Sequence, residues 1–334
     1  MHRRGVGGRV LSVVGVVLVA ALLLAGVAAA LTHLVEVDLG QPARTPQVGA
    51  AVTTAVLCGL LAHRIGGHPV AATVFGAVAA ATALTSGWAW LLAGVAALTA
   101  FAAAVLGVVA TRPAKRPVRV VGEYAVAVAV ALAGAVAVAA YAAPVDADML
   151  WRVVLLASLL ATLWVAHRLG GGFAGLGKRG ALVVVFAVLV LVVGLAYGEA
   201  VRRWGSPGLI ESVEAARQAT VGLLGAVPRP LELLLGFPVL VWGLATRARL
   251  RQGWWVCAFG SLGTAGVATS LAVPGAPPGQ QLLATLYSVL LGLALGFLVW
   301  RVDRLLTGPR GRRARGAERA LPPRPEPSRT RPLL

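Results

Sequence analysis

Charge is what this chain has least of. Only 13% of its residues are Asp, Glu, Lys or Arg, roughly half the share of an ordinary soluble domain. Lysine is almost missing, at 2 residues against 28 arginines, and there are 12 acids. The 2 cysteines, Cys58 and Cys257, are too few for a disulfide framework or a thiolate metal centre. Both fall inside apolar runs and read as small buried apolar residues. Strict alternation over about ten residues, the mark of a membrane barrel strand, is absent too. No ionisable residue lies near the middle of an apolar run, which argues against a proton relay. Sodium coupling through carbonyls and hydroxyls stays open.

What the chain does have is apolar length. Runs cover 10–32, 47–65, 69–86, 88–110, 118–142, 149–167, 181–199, 231–247, 254–272 and 281–301. About 20 such residues cross a bilayer core. Inside lipid only helices and closed barrels satisfy their own backbone. The expectation is therefore all-α: a polytopic transmembrane helix bundle of about ten spans over residues 1–302. The excess of Arg, Ala, Val, Gly and Pro matches the codon bias of a GC-rich genome, so Arg in place of Lys carries no functional message. The first run begins with basic residues and contains Ala28-Ala29-Ala30, as a signal peptide would. Its apolar core exceeds the usual ~7–15 residues, so a retained span is expected.

Basic residues sit in alternate gaps. With the N-terminus inside, 24 fall on the inner side and 6 on the outer. The positive-inside rule then puts both termini in the cytoplasm and requires an even number of spans. A multi-pass plasma-membrane protein follows. Trp88, Trp90, Trp151 and Trp204 fall near the outer interface, and Trp254, Trp255 and Trp300 near the inner one.

Three features lie outside the spans. Ala62-His63-Arg64-Ile65-Gly66-Gly67 is echoed by Ala166-His167-Arg168-Leu169-Gly170-Gly171, four spans later and at the same face. A parallel duplication of a four-helix unit would produce this, and so would an arginine anchor followed by a glycine stop. Ser206-Pro207 opens an amphipathic segment, about 207–227, expected to lie in the outer interface as a lid, a docking surface or a connector. The tail, 303–334, is rich in Arg and Pro and is expected to be disordered. Its basic cluster (Arg310, Arg312, Arg313, Arg315) should attract anionic lipid headgroups rather than nucleic acid, because the membrane is adjacent. Arg319 to Pro325 fits a polyproline recognition pattern that such a composition also produces by chance.

Candidate chemistry is thin. Glu36 and Asp38 follow the first span, and polytopic glycosyltransferases acting on lipid-linked sugars carry a catalytic acid in that place. Glu123, one turn into the fifth span, suits an ion pair with Arg119 or a cation. His63, His68 and His167 would meet, and suit a metal, only if the echoed segments face each other. Gly172 to Lys178 mimics a phosphate loop, but Arg179 stands where Ser or Thr is required and no strand precedes it. Gly194/Gly198, Gly292/Gly296 and Gly260/Gly263/Gly266 offer close-packing faces. Ser261, Thr264, Thr269, Ser270, Thr285, Tyr287 and Ser288 suit a cavity wall or bonds between helices. No cofactor is implied.

The stretch from Val227 to Gly260, with the tail segment Glu326-Pro327-Ser328-Arg329-Thr330-Arg331, resembles a group of uncharacterised membrane proteins from GC-rich bacteria. That resemblance implies a polytopic membrane protein and no particular activity. The leading expectation is a permease- or flippase-like protein for a weakly charged or lipidic substrate. The alternatives are a scaffold or accessory subunit with a membrane-protein partner, and an enzyme acting on a lipid-linked substrate.

Overall fold

The computed structural model describes residues 6–35, 44–170, 203–248, 253–273, 276–306 and 326–334, with scattered positions between 182 and 200. Every described element is helical. They are α1 (Val6–Val35), α2 (Thr45–Arg64), α3 (Pro69–Ser86), α4 (Ala89–Val109), α5 (Pro117–Ala140), α6 (Ala147–Gly170), α7 (Pro207–Leu224), a π-helical turn (Glu232–Gly236), α8 (Phe237–Arg247), α9 (Gly253–Ala258), α10 (Ser261–Ala268) and α11 (Pro278–Leu306). Proline stands in the first turn of α2, α3 and α5, where its missing N–H costs nothing. Gly87, at φ +65°, makes the left-handed turn that separates α3 from α4.

Seven of these helices, α1 to α6 and α11, are long and apolar enough to cross a membrane. They correspond to seven of the ten expected spans. Of the expected span 181–199, only scattered positions are described, and each of those is helical. The expected spans 231–247 and 254–272 are helical but interrupted. In the first, the Phe237 N–H bonds back five residues to the Glu232 carbonyl. Pro238 follows at once. It has no N–H to offer and its ring would crowd the carbonyl four residues back, so the helix widens before it. In the second, turns at Phe259-Gly260 and at Thr269–Leu271 break the helix.

α4, α5, α8, α9 and α10 carry most of the buried side chains, whereas α1 and α3 are largely exposed. Val70, Val74, Phe75 and Val78 all stand exposed on α3. A contiguous apolar face of that kind belongs against lipid. Glycine sets the inner spacing: a Cβ on Gly292 would stand 2.6 Å from that of Phe237, and one on Gly296 2.6 Å from that of Val241. α11 and α8 therefore pack backbone to side chain. Thr54 joins α2 to α4 and α5, its hydroxyl lying 2.7 Å from both the Thr99 and Tyr141 hydroxyls.

One end of the bundle gathers Arg64, Arg247, the α4–α5 linker and Trp254. The other holds His33, the end of α5 and the start of α11. Trp254, Trp255 and Trp300, expected at a lipid interface, are buried instead, and Trp254 lies 4.0 Å beneath the Arg247 guanidinium. α7 falls within the segment 207–227 read as amphipathic. It is exposed from Glu211 to Ala219 and is tied to the bundle where the Tyr287 hydroxyl donates to the Leu224 carbonyl at 2.9 Å. Of the tail read as disordered, residues 303–306 continue α11 and 326–334 are docked on the Arg-rich end; Arg310 to Arg315 lie outside the described residues. The docked part is held by its backbone carbonyls on Arg64 and by the ion pairs Glu326–Arg247 and Arg329–Glu123. The echoed segments differ in environment: Arg64 is buried, whereas Arg168 is exposed and α6 runs two residues beyond it.

Candidate functional site

The first constellation surrounds the π-helical turn. Glu232 is 2% exposed, and its carboxylate accepts from Arg229 at 3.3 Å. Arg229 also donates to the Gly266 carbonyl at 2.8 Å and the Ser270 carbonyl at 3.1 Å, both freed by the breaks that end α10. Its backbone N–H donates to the Ser288 hydroxyl on α11 at 2.8 Å. Gly266 is glycine because the Glu232 carboxylate occupies the place of its side chain; a Cβ there would collide with Oε1. Glu232 Oε2 and the Ser270 hydroxyl have no hydrogen-bond partner among the described residues. An unsatisfied buried polar atom costs about 1–3 kcal/mol, so such atoms mark places kept for something other than stability.

A cleft of about 300 Å³ opens at the end of the bundle remote from Arg64 and Arg247, and its wall includes Leu271, the residue after the Ser270 carbonyl that Arg229 bonds. Its walls are the end of α1 (His33, Leu34), the end of α5 (Ala139, Ala142) and the segment Leu271–Gln281. The lining is mostly apolar, with His33 and Gln281 as polar groups. The Gln281 amide nitrogen is spent on the Val273 and Ala276 carbonyls, while its oxygen has no partner among the described residues.

At the other end, Arg64 donates from Nε to the Val109 carbonyl at 2.9 Å. Its Nη1 meets the Ser328 and Arg331 carbonyls at 2.8 and 2.7 Å. Arg247 donates to Thr111, and its Nε lies 3.2 Å from Glu326 Oε1. Burial pushes the Glu326 carboxyl above the usual carboxylate range, against the pull of Arg247, a Trp254 hydrogen bond, Arg64 and Arg112. Glu123 accepts from the Arg112 backbone N–H at 2.8 Å and from Arg329 at 2.6 Å.

No protein-family model, curated protein or solved structure matches this chain. Its function is therefore argued from these two constellations alone.

The residues singled out in the sequence fare unevenly. Glu36 and Asp38 lie outside the described residues, as does the loop Gly172 to Lys178. Glu123 pairs with Arg329, two hundred and six positions away, instead of Arg119. His63 stands 3.2 Å from the Thr330 carbonyl, His167 packs edge-on against Trp255, and His68 is exposed ahead of α3. Among the described residues, no three His, Cys, Asp or Glu groups come together for a metal. Of the hydroxyls in the last spans, Thr264 donates to the Ala104 carbonyl at 2.8 Å and Ser261 lies 3.2 Å from Thr162, both between helices, whereas Thr269 and Thr285 bond within their own helices. Sequence reasoning missed Arg64, Glu232 and Arg247 as buried charges, and Arg229 as the half-buried partner of Glu232. The signal available was Glu232 itself, an acid one residue inside an apolar run.

Proposed function

We propose that this integral membrane protein is a permease- or flippase-like translocator of a weakly charged or lipidic substrate. The observation that carries the reading is the interrupted helical pair, the π-helical turn before α8 and the breaks around α10, with Glu232 buried and Arg229 half-buried between them. Broken helices at membrane depth are tolerated where they line a cavity or are buried in protein, and transporters bind substrate at such breaks. The adjoining cleft offers an apolar wall, one imidazole and one amide, which suits a substrate with little net charge.

By the positive-inside rule the Arg-rich end faces the cytoplasm. The cleft then opens outward, α7 lies at the outer surface, and both termini are inside a plasma-membrane bundle of about ten spans. The described residues of the two echoed segments, 62–67 and 166–170, lie at the Arg-rich end, which supports a parallel duplication. An accessory role draws support from one observation: α7 leaves Val213, Leu223 and Leu224 exposed, as a partner-binding helix would.

The test is reconstitution into vesicles carrying lipids with a reducible fluorophore, alongside entrapped neutral solutes. Empty vesicles lose only the outer-leaflet signal to a membrane-impermeant reductant. Faster loss of the inner-leaflet signal, or solute efflux, slowed by Glu232→Gln, supports translocation. Rates equal to empty vesicles for every probe, with a protein partner co-purifying in fixed ratio, sink it in favour of the accessory role.

A further inference from the structure

Two arginines are more deeply buried than their positions at helix ends require. Arg64 ends α2 at 2% exposure, and Arg247 ends α8 at 5%. Long basic side chains at span ends ordinarily reach out to headgroups and water. These two turn inward and converge on the same nine residues of the C-terminus. Neither is saturated. Arg64 Nη2 has no hydrogen-bond partner among the described residues. Arg247 Nε is close enough to Glu326 for an ion pair but lacks the alignment of a hydrogen bond. The Glu326 Oε2 atom is unpartnered in the same sense.

The local charge does not balance. Arg64, Arg112, Arg247 and Arg329 stand against Glu123 and Glu326. Beside Glu326 a cleft of about 400 Å³ runs along the α4–α5 linker and the start of α5, lined by Arg112, Arg119, Glu123 and Glu326. Guanidinium groups grouped in this way recognise phosphate, whose oxygens accept several N–H bonds at once. The Glu326 carboxylate pairs with Arg247 alone while Arg64 meets backbone carbonyls, and Arg64 Nη2, Arg247 Nε and Glu326 Oε2 stay without a hydrogen-bond partner among the described residues.

We infer that Arg64 and Arg247 form a binding site for a phosphate-bearing anion, and that the C-terminal segment 326–334 occupies this site as an internal substitute, with the Glu326 carboxylate standing where the phosphate binds. The site belongs to the opposite end of the bundle from the cleft proposed for transport and does not depend on that reading. Two sources share the chemistry, an anionic phospholipid headgroup in the adjacent leaflet and free phosphate in the aqueous phase. In either case the anion and the segment exclude one another.

The experiment follows the segment in the full-length protein. A spin label on Leu334→Cys, with the buried Cys58 and Cys257 left in place, reports docking through its mobility. The protein is held in nanodiscs of phosphatidylcholine alone, or of phosphatidylcholine with phosphatidylglycerol. Inorganic phosphate is titrated into the first, and sodium chloride at matched ionic strength is the control. The expected result is a several-fold rise in the mobile fraction with phosphatidylglycerol or phosphate and little change with chloride. Release by phosphatidylglycerol alone assigns the headgroup; release by phosphate as well shows that the free anion suffices. Arg247→Lys, which keeps the charge but loses the planar fork, should need several-fold more anion to release the segment. A label unmoved by either anion overturns the inference. So does equal release by chloride, which would mean that general screening loosens the tail.

Discussion

Leucine substitution of Arg229 and Glu232, singly and together, measures what the buried pair contributes. Truncating one member of a buried ion pair costs about 3–5 kcal/mol, because the survivor is stranded. The surroundings place the two variants differently within that range. Arg229→Leu leaves a carboxyl that is 2% exposed and removes the donor to the Gly266 and Ser270 carbonyls. It is expected to cost about 4 kcal/mol. Glu232→Leu leaves a guanidinium with both carbonyl bonds and a side chain 27% exposed, so water reaches it. That variant should cost about 3 kcal/mol. The double variant strands no charge and leaves only the two carbonyls bare, for a loss of about 4 kcal/mol and a coupling of about 3 kcal/mol between the two sites. Equilibrium unfolding in mixed micelles, followed through the 9 tryptophans, reads these differences. Losses that add to within about 0.5 kcal/mol would refute the reasoning, since independent sites behave that way.

Thr54→Val, which keeps the shape and removes the hydroxyl shared by Thr99 and Tyr141, should destabilise the same transition by about 1–2 kcal/mol, and Thr99→Val on that background should add less than it does alone. Gly292→Val sets a branched side chain against Phe237, where even a Cβ would stand at 2.6 Å, and should cost about 3 kcal/mol, visible as loss of the monodisperse fraction on size exclusion. Docking of residues 326–334 should strengthen as pH falls. The Glu326 carboxyl titrates higher when docked than the ~4.3 of a free glutamate. Its contribution is therefore complete below the free value and is lost as pH rises through the docked one. Labelling of Leu334→Cys by a thiol reagent, corrected for the reagent's own pH dependence, should be slower in acid. Glu326→Gln should abolish the response while leaving His63 against the Thr330 carbonyl; a response that persists belongs to another group.

The helices were legible because each span-length apolar run, bounded by proline or glycine, leaves the backbone one way to satisfy itself in lipid. The turn between α3 and α4 falls in the gap between the runs 69–86 and 88–110, where Gly87 has the left-handed backbone. The interruption at Glu232–Gly236 was not read, although Pro238 announces it, because a proline two residues into a helix is ordinary and one after a widened turn looks the same in sequence. Burial of Arg64 and Arg247 was out of reach for a different reason. An arginine at the end of an apolar run is an interface anchor unless something covers it, and what covers these two comes from the far end of the chain. Glu123 shows the same limit: its neighbour Arg119 sits one turn away on the same helix, yet the ion pair goes to Arg329.

The contact between Arg64 and the Ser328 carbonyl also fixes an order of assembly. The two residues are 264 positions apart. At about 5–20 residues per second, synthesis separates their appearance by tens of seconds. Throughout that interval α2 is already in the bilayer while its terminal guanidinium lacks the carbonyls that later hold it. Burial of that end of the molecule is thus a late event, completed only after Ser328 and Arg331 have left the ribosome. A chain that stops short would insert its helices and still never close.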